Sequence, residues 1–193
     1  MDVELEWKGP FSWFGDAAPM LFGAAEAAAA GVYAWSAKMP DGDWVYYVGQ
    51  TRKNFGDRHW EHWREYASGA YSIHSAEEFY SGRHACMHRG FAYRRPAFRL
   101  AASVLSSVDR HLEATVAFLR PMRIWLAELP PDTRLQRRIE GAIVRALYQQ
   151  LGPAKDFQEP KMRMELRKPH EPPIRVWTRG ACSLVGIPHT LEA

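Results

Sequence analysis

Residues 31–51 read GVYAWSAKMPDGDWVYYVGQT, and the reading of this stretch decides the fold. Residues 31–37 and 43–49 are dense in aromatic and β-branched side chains, which favour extended backbone. Pro40-Asp41-Gly42 between them is turn chemistry. The pair therefore reads as an antiparallel hairpin, with Tyr33 brought within a residue or two of Tyr47. Downstream, a helix of about 57–67 is expected, capped by Asp57, with Arg58 and His62 four apart on one face. Residues 100–119 read as a helix ended before Pro121, and residues 122–128 (MRIWLAE) as a strand. A helix of about 133–151 carries the four-spaced stripe Leu135, Ile139, Ile143, Leu147 and Leu151, and Gly152-Pro153 ends it. Upstream, residues 1–16 read as a loose lead with aromatic anchors. The alanine-rich residues 17–30 read as a helix closed by Gly31.

Composition bounds the answer. The chain has 193 residues, 47% of them apolar, which suits one domain with a real core and excludes disordered, collagen-like and coiled-coil chains. The net charge is only +3, but it is unevenly spread. Residues 83–99 hold five arginines and no acid, residues 161–179 hold six bases against two acids, and the remainder is net acidic. Such segregation suits a polyanion partner. Two cysteines, Cys86 and Cys182, make neither a disulfide framework nor a CxxC metal site. They fit a reducing cytoplasm. The start MDVELEWK is acidic where a secretory signal is basic. The apolar run Ala17 to Trp35 contains Glu26 and mostly alanine, so no membrane association is expected.

Taken singly, the polar residues are ordinary. Tyr33 and Tyr47 suit a cross-strand pair, Arg58 and His62 a solvated helix face, and Glu140 an ion pair with a neighbour such as Arg137. Their order is more specific. Gly31-Val32-Tyr33, then Tyr47-Val48-Gly49 followed by Gln50-Thr51, then Arg58-x3-His62, then a strand and a helix bearing Glu140, resembles the GIY-YIG nuclease family. The Arg-x3-His spacing is similar to that of its restriction-type members. The resemblance covers roughly residues 30–66 and 121–152.

The resemblance implies an α/β (α+β) fold with a small, three-stranded, mostly antiparallel sheet flanked by helices. Residues 31–152 would form the nuclease domain, with 67–120 as a helical insertion, 1–30 as an N-terminal extension and 153–193 as an extended basic tail. It also implies a metal-dependent endonuclease on DNA. Glu140 would hold Mg²⁺ or Mn²⁺, Arg58 would contact the phosphate, Tyr33 would activate water, and Tyr47 and His62 would position or relay the proton. One carboxylate suffices for Mg²⁺, which keeps waters and phosphate oxygens as its other ligands. The positive charge nearby is expected to lower the tyrosine pKa. The family's asparagine after the glutamate helix has no counterpart, because the one asparagine is Asn54. That role is vacant or falls to Asp156 or Gln158.

Substrate contacts are expected from Arg52 and Lys53 beside the hairpin. Others are expected from Arg89, Arg94 and Arg95 in the run HRGFAYRR at 88–95, where bases alternate with aromatics. His84-x-Cys86-x-His88 lacks a standard zinc spacing and a clear fourth ligand. Restriction, repair and mobile-element roles all share this chemistry, and palindromic double-strand cutting would call for a homodimer. A non-catalytic nucleic-acid-binding protein on the same fold is the competing class, and a basic interaction domain with coincidental triplets the third.

Overall fold

The computed structural model describes residues 1–16, 18–92, 97–181 and 183–193. In chain order the chain opens with β1 (Asp2–Ser12), followed by two short 3-10 turns at Leu21–Gly23 and Ala25–Ala28. The expected hairpin is β2 (Gly31–Met39) and β3 (Gly42–Thr51), leading into α1 (Phe55–Ala67). Next come β4 (Ile73–His74), α2 (Ala76–Phe79), β5 (Cys86–His88), α3 (Ala97–Leu105) and α4 (Val108–Leu119). The strand β6 (Arg123–Glu128) precedes α5 (Thr133–Tyr148) and the single turn α6 (Pro153–Asp156). The chain closes with β7 (Arg175–Arg179), β8 (Leu184–Val185) and β9 (Thr190–Glu192).

The sheet corrects the expected architecture. It is a curled, mixed sheet of seven strands in the order β8-β3-β2-β6-β1-β7-β9, not a small three-stranded one. The expected strands β3, β2 and β6 do pair antiparallel in its middle. The additional strands come from the two ends of the chain. β1 pairs antiparallel with β6 and parallel with β7, and β8 runs parallel to β3. The physical reason is edge satisfaction. Paired to β2 alone, β6 would expose a row of unpaired amides and carbonyls, and β1 covers that edge. The expected loose lead is instead this strand, with Leu5 and Trp7 buried while Glu4, Glu6 and Lys8 are exposed.

β2 is buried along almost its whole length, so both faces of the sheet are covered there. Its alternation divides two cores. Val32 and Ala34 join Trp125, Ala127, Ile139, Ile143 and Leu147 on the α5 side. Tyr33 and Trp35 join Phe55, Phe118, Ile124 and Leu126 on the side of α1 and α4. Gly31 ends close to β6, where a Cβ would run into the Ala127 carbonyl oxygen. Only glycine fits that approach.

Local details also differ. The cap of α1 is Asn54, whose side chain accepts from the Asp57 amide (2.6 Å) while donating to the Asp57 carboxylate (2.7 Å). The helix therefore starts two residues earlier than expected. The alanine-rich segment forms two 3-10 turns and no α-helix. Residues 100–119 break at Ser106-Ser107 into α3 and α4. α5 stops at Tyr148, and Leu151 stands 92% exposed beyond the stripe. Among the described residues, no helix is long and apolar enough to cross a membrane.

Because β1 lies inside the sheet, removal of residues 1–12 should leave a chain without a cooperative melting transition. Circular dichroism of the truncated protein checks this. A sharp transition close to that of the full chain would mean the strand is an accessory.

Candidate active site

The two triplets place one phenol. Tyr33 lies opposite Gly49 across the hairpin, and Tyr47 lies opposite Trp35. A Cβ at Gly49 would overlap the Tyr33 ring and hydroxyl, so the second triplet needs its glycine to leave room for the first triplet's tyrosine. The Tyr33 side chain is fully buried, and its ring centroid is 6.1 Å from that of Tyr47.

α1 brings four more groups. The Tyr33 hydroxyl is 2.7 Å from His62 Nε2, and Arg58 Nε donates to it at 3.3 Å. Arg58 Nη1 also donates to Glu61 Oε2 at 2.9 Å. His59, which the sequence reading passed over, fixes the helix against the sheet. It accepts from Trp35 Nε1 at 3.0 Å and, through Nδ1, meets the Phe55 carbonyl at 2.7 Å. Burial holds His59 at a pKa of about 3. No spacing rule marks it, because it lies next to Arg58 and earns its place only through a tertiary partner.

Burial outweighs charge at the phenol. The expectation of a lowered tyrosine pKa is reversed here. Desolvation raises Tyr33 to about 12, although Arg58 pulls it down. Tyr47 is likewise raised well above its usual value by burial. His62 is pushed well below its ordinary value by burial, with the Arg58 charge adding to it, so it is neutral at pH 7. Since Arg58 donates to the Tyr33 oxygen, the phenol's own proton points to His62 Nε2. The neutral imidazole then carries its hydrogen on Nδ1, which is buried and without a partner.

Glu140 comes from α5 and is 8% exposed. The expected pair with Arg137 does not form, since Arg137 bonds Glu165 at 3.3 Å. Among the described residues, Glu140 makes no hydrogen bond or ion pair. Burial raises its pKa to about 7, against the opposing charges of Arg163, Arg137 and Arg58. Its charge also acts on Tyr33 and Tyr47, which places the five expected side chains in one electrostatic neighbourhood. A buried, unbonded carboxylate suits a hard divalent cation, which would restore its ionised form. No group of three or more His, Cys, Asp or Glu side chains clusters as a metal site among the described residues.

The tail adds what sequence reading missed. The Gly141 backbone abuts the backbone of Glu165, so residues 162–165 cross α5 beside Glu140. Met162 Sδ accepts from the Val48 amide (3.3 Å) and Tyr148 accepts from the Met162 amide (2.8 Å). This crossing delivers Arg163. Gln158 donates to the Leu147 carbonyl at the end of α5, and Asp156 lies in the α6 turn.

The expected substrate residues scatter. Lys53 pairs with Glu61 at 3.3 Å, and Arg52 is exposed after β3. Arg89 lines a cavity that also touches Tyr47 and His62. Arg94 and Arg95 lie outside the described residues. The His84-Cys86-His88 side chains part company. His84 meets the Phe157 carbonyl at 2.7 Å, His88 the Gly69 carbonyl at 2.8 Å, and Cys86 the His88 carbonyl at 3.2 Å.

No protein-family model matches the chain, and comparison with curated proteins and with solved structures returns no significant match.

A raised carboxyl pKa costs stability as pH rises. Near pH 4 Glu140 is mostly protonated folded or unfolded; between about 4.5 and 7 only the unfolded state ionises, and above about 7 the folded state is ionised as well, at the full cost of burial. Glu140→Gln should therefore melt with the parent near pH 4 and gain roughly 3 kcal/mol at pH 8, since each pKa unit between 4.5 and about 7 is worth ~1.4 kcal/mol. Thermal melts at the two pH values check this. An equal effect at both would mean the carboxylate is not destabilised by burial.

Proposed function

We propose that the chain is a metal-dependent endonuclease of the GIY-YIG type that hydrolyses phosphodiester bonds in DNA. One observation supports the reading: Tyr33, Arg58 and His62 are hydrogen-bonded together beside Tyr47, and the buried carboxyl of Glu140 lies within reach of the Arg58 charge. Coincidental triplets would have no reason to meet this way. The uneven basic charge suits the same polyanion.

Phosphodiester hydrolysis needs a deprotonated water, charge opposite the phosphorane, and relief for the leaving oxygen. Tyr33 is too weak an acid, at about 12, to wait as a phenolate. It acts instead as a relay. The attacking water gives its proton to the Tyr33 oxygen as the phenol's own proton passes to His62 Nε2. His62, kept neutral by burial, is the acceptor, and its imidazolium later returns the proton to solvent. The new phosphorus–oxygen bond forms as the bond to the leaving oxygen breaks. Arg58 holds a non-bridging phosphate oxygen with the part of its fork not used by Tyr33 and Glu61. Glu140 would hold Mg²⁺ or Mn²⁺, which would supply positive charge for the leaving oxygen. Tyr47 packs at a tilt against Trp35 (5.0 Å) and against the Tyr33 ring (6.1 Å), which helps hold the phenol in place.

A cytoplasmic restriction-type enzyme fits the spacing of Arg58 and His62, and a homodimer would let it cut both strands. A protein that binds nucleic acid without cutting it is the competing reading, and cleavage decides between them.

Purified protein with supercoiled plasmid and Mg²⁺ should give nicked or linear DNA. Tyr33→Phe should lower the rate by at least about 100-fold while leaving DNA affinity within a factor of two. Undiminished cutting by that variant would remove the relay. No cutting by the parent with either cation would favour the binding protein. At subsaturating Mg²⁺ the parent rate should also rise with pH through about 7, as Glu140 ionises, and this dependence should flatten when Mg²⁺ saturates.

A further inference from the structure

Tyr47 and His62, which meet Tyr33 beside Arg58, also line a cavity of about 540 Å³ between the hairpin, the segment 66–90 and residues 156–160. The other walls of that cavity have no part in the mechanism. We propose that this cavity takes a single unstacked nucleobase from the strand whose phosphate lies at Arg58. The inference rests on the nuclease reading, because a strand held at Tyr47 and His62 has its neighbouring base at the cavity mouth.

Size and walls argue for a base. The volume lies within the range of pockets that enclose a small organic ligand, and a duplex cannot enter it. The walls offer π-faces. Tyr46 forms a buried part of the lining and is braced by Phe79 (4.9 Å) and His84 (5.9 Å). Tyr71 lies 5.8 Å from His62 and 5.2 Å from Tyr66. Stacking between such rings is how enzymes hold an extruded or single-stranded base.

The polar groups suit a base edge. Glu159 lines the cavity, and its carboxyl forms no hydrogen bond or ion pair among the described residues. Burial brings it to a pKa of about 7, so near neutrality both a donor and an acceptor form are populated. A base edge presents adjacent donors and acceptors that such a carboxyl can match. Gln158, whose nitrogen is used by α5, keeps an unpartnered Oε1 in the same wall. Arg89 is exposed and suits the phosphate of the entering nucleotide.

The test uses full-length protein and two probes. Free deoxynucleosides are titrated against the protein by calorimetry. Single-stranded oligonucleotides carrying one 2-aminopurine are followed by fluorescence with Glu140→Ala, which should bind without cutting. At least one nucleoside should bind, and 2-aminopurine emission should fall severalfold on stacking. Ser72→Trp, which fills the cavity rim, should weaken both responses at least tenfold. Glu159→Gln keeps the shape and should change the order of preference among the four nucleosides. This second variant decides the matter if Ser72→Trp fails to fold. Absence of both responses, or responses indifferent to both variants, overturns the proposal. Nucleoside binding without an oligonucleotide response assigns the cavity to soluble nucleotides and overturns the strand-borne base. Plasmid cleavage measured in parallel separates the readings: cutting without base binding removes the cavity proposal alone, and base binding without cutting removes the nuclease reading alone.

Discussion

The structure depends on the burial of β2 on both faces. A strand covered on one side only could not have put Val32 and Ala34 against α5 while Tyr33 and Trp35 meet α1. Because successive side chains alternate, a one-residue slip would turn the phenol of Tyr33 away from α1. Gly31 and Gly49 keep the register by admitting the β6 backbone and the Tyr33 ring. Trp125, whose Nε1 bonds Ser36 Oγ at 3.0 Å across β2 and β6, and Arg123, which bonds buried Asp43, reinforce the same register from the far side.

Burial also sets the chemistry. Around one phenol, it raises Tyr33, lowers His59 and His62, and raises Glu140. Each group is pushed towards its neutral form, and the fixed charge of Arg58 is the main local exception. In the proposed reading, a divalent cation would offset the desolvation penalty at Glu140, and the charge of Arg58 would meet the phosphate. The site is therefore expensive to hold empty and gains most when occupied. Strain of that kind belongs at functional positions more often than in ordinary cores, where polar groups find partners.

The ends of the chain do more than extend a core. β1, β7 and β9 complete one side of the sheet, and β8 covers the other edge. Arg134 grips Glu171 and Glu165, which binds the tail across α5. The same crossing sets Arg163 beside Glu140. The segment between α1 and β6 closes the cavity next to Tyr47 and His62, so an insertion by sequence becomes a wall by structure.

The sequence by itself determined the hairpin, the helix carrying Arg58 and His62, the strand β6 and the helix carrying Glu140. Each rests on local rules: turn residues, side-chain period and helix spacing. It also named Tyr33, Arg58 and His62, which hydrogen-bond to one another. It did not disclose the seven-stranded sheet, because strand pairing between residues 2–12, 123–128 and 175–179 is a long-range event with no local mark. Nor did it disclose the direction of the Tyr33 pKa shift. The charge of Arg58 is visible in a sequence, whereas desolvation is a property of everything packed around the phenol. Tertiary structure alone decided that burial outweighs the arginine, that Arg137 leaves Glu140 for Glu165, and that the tail returns to the site.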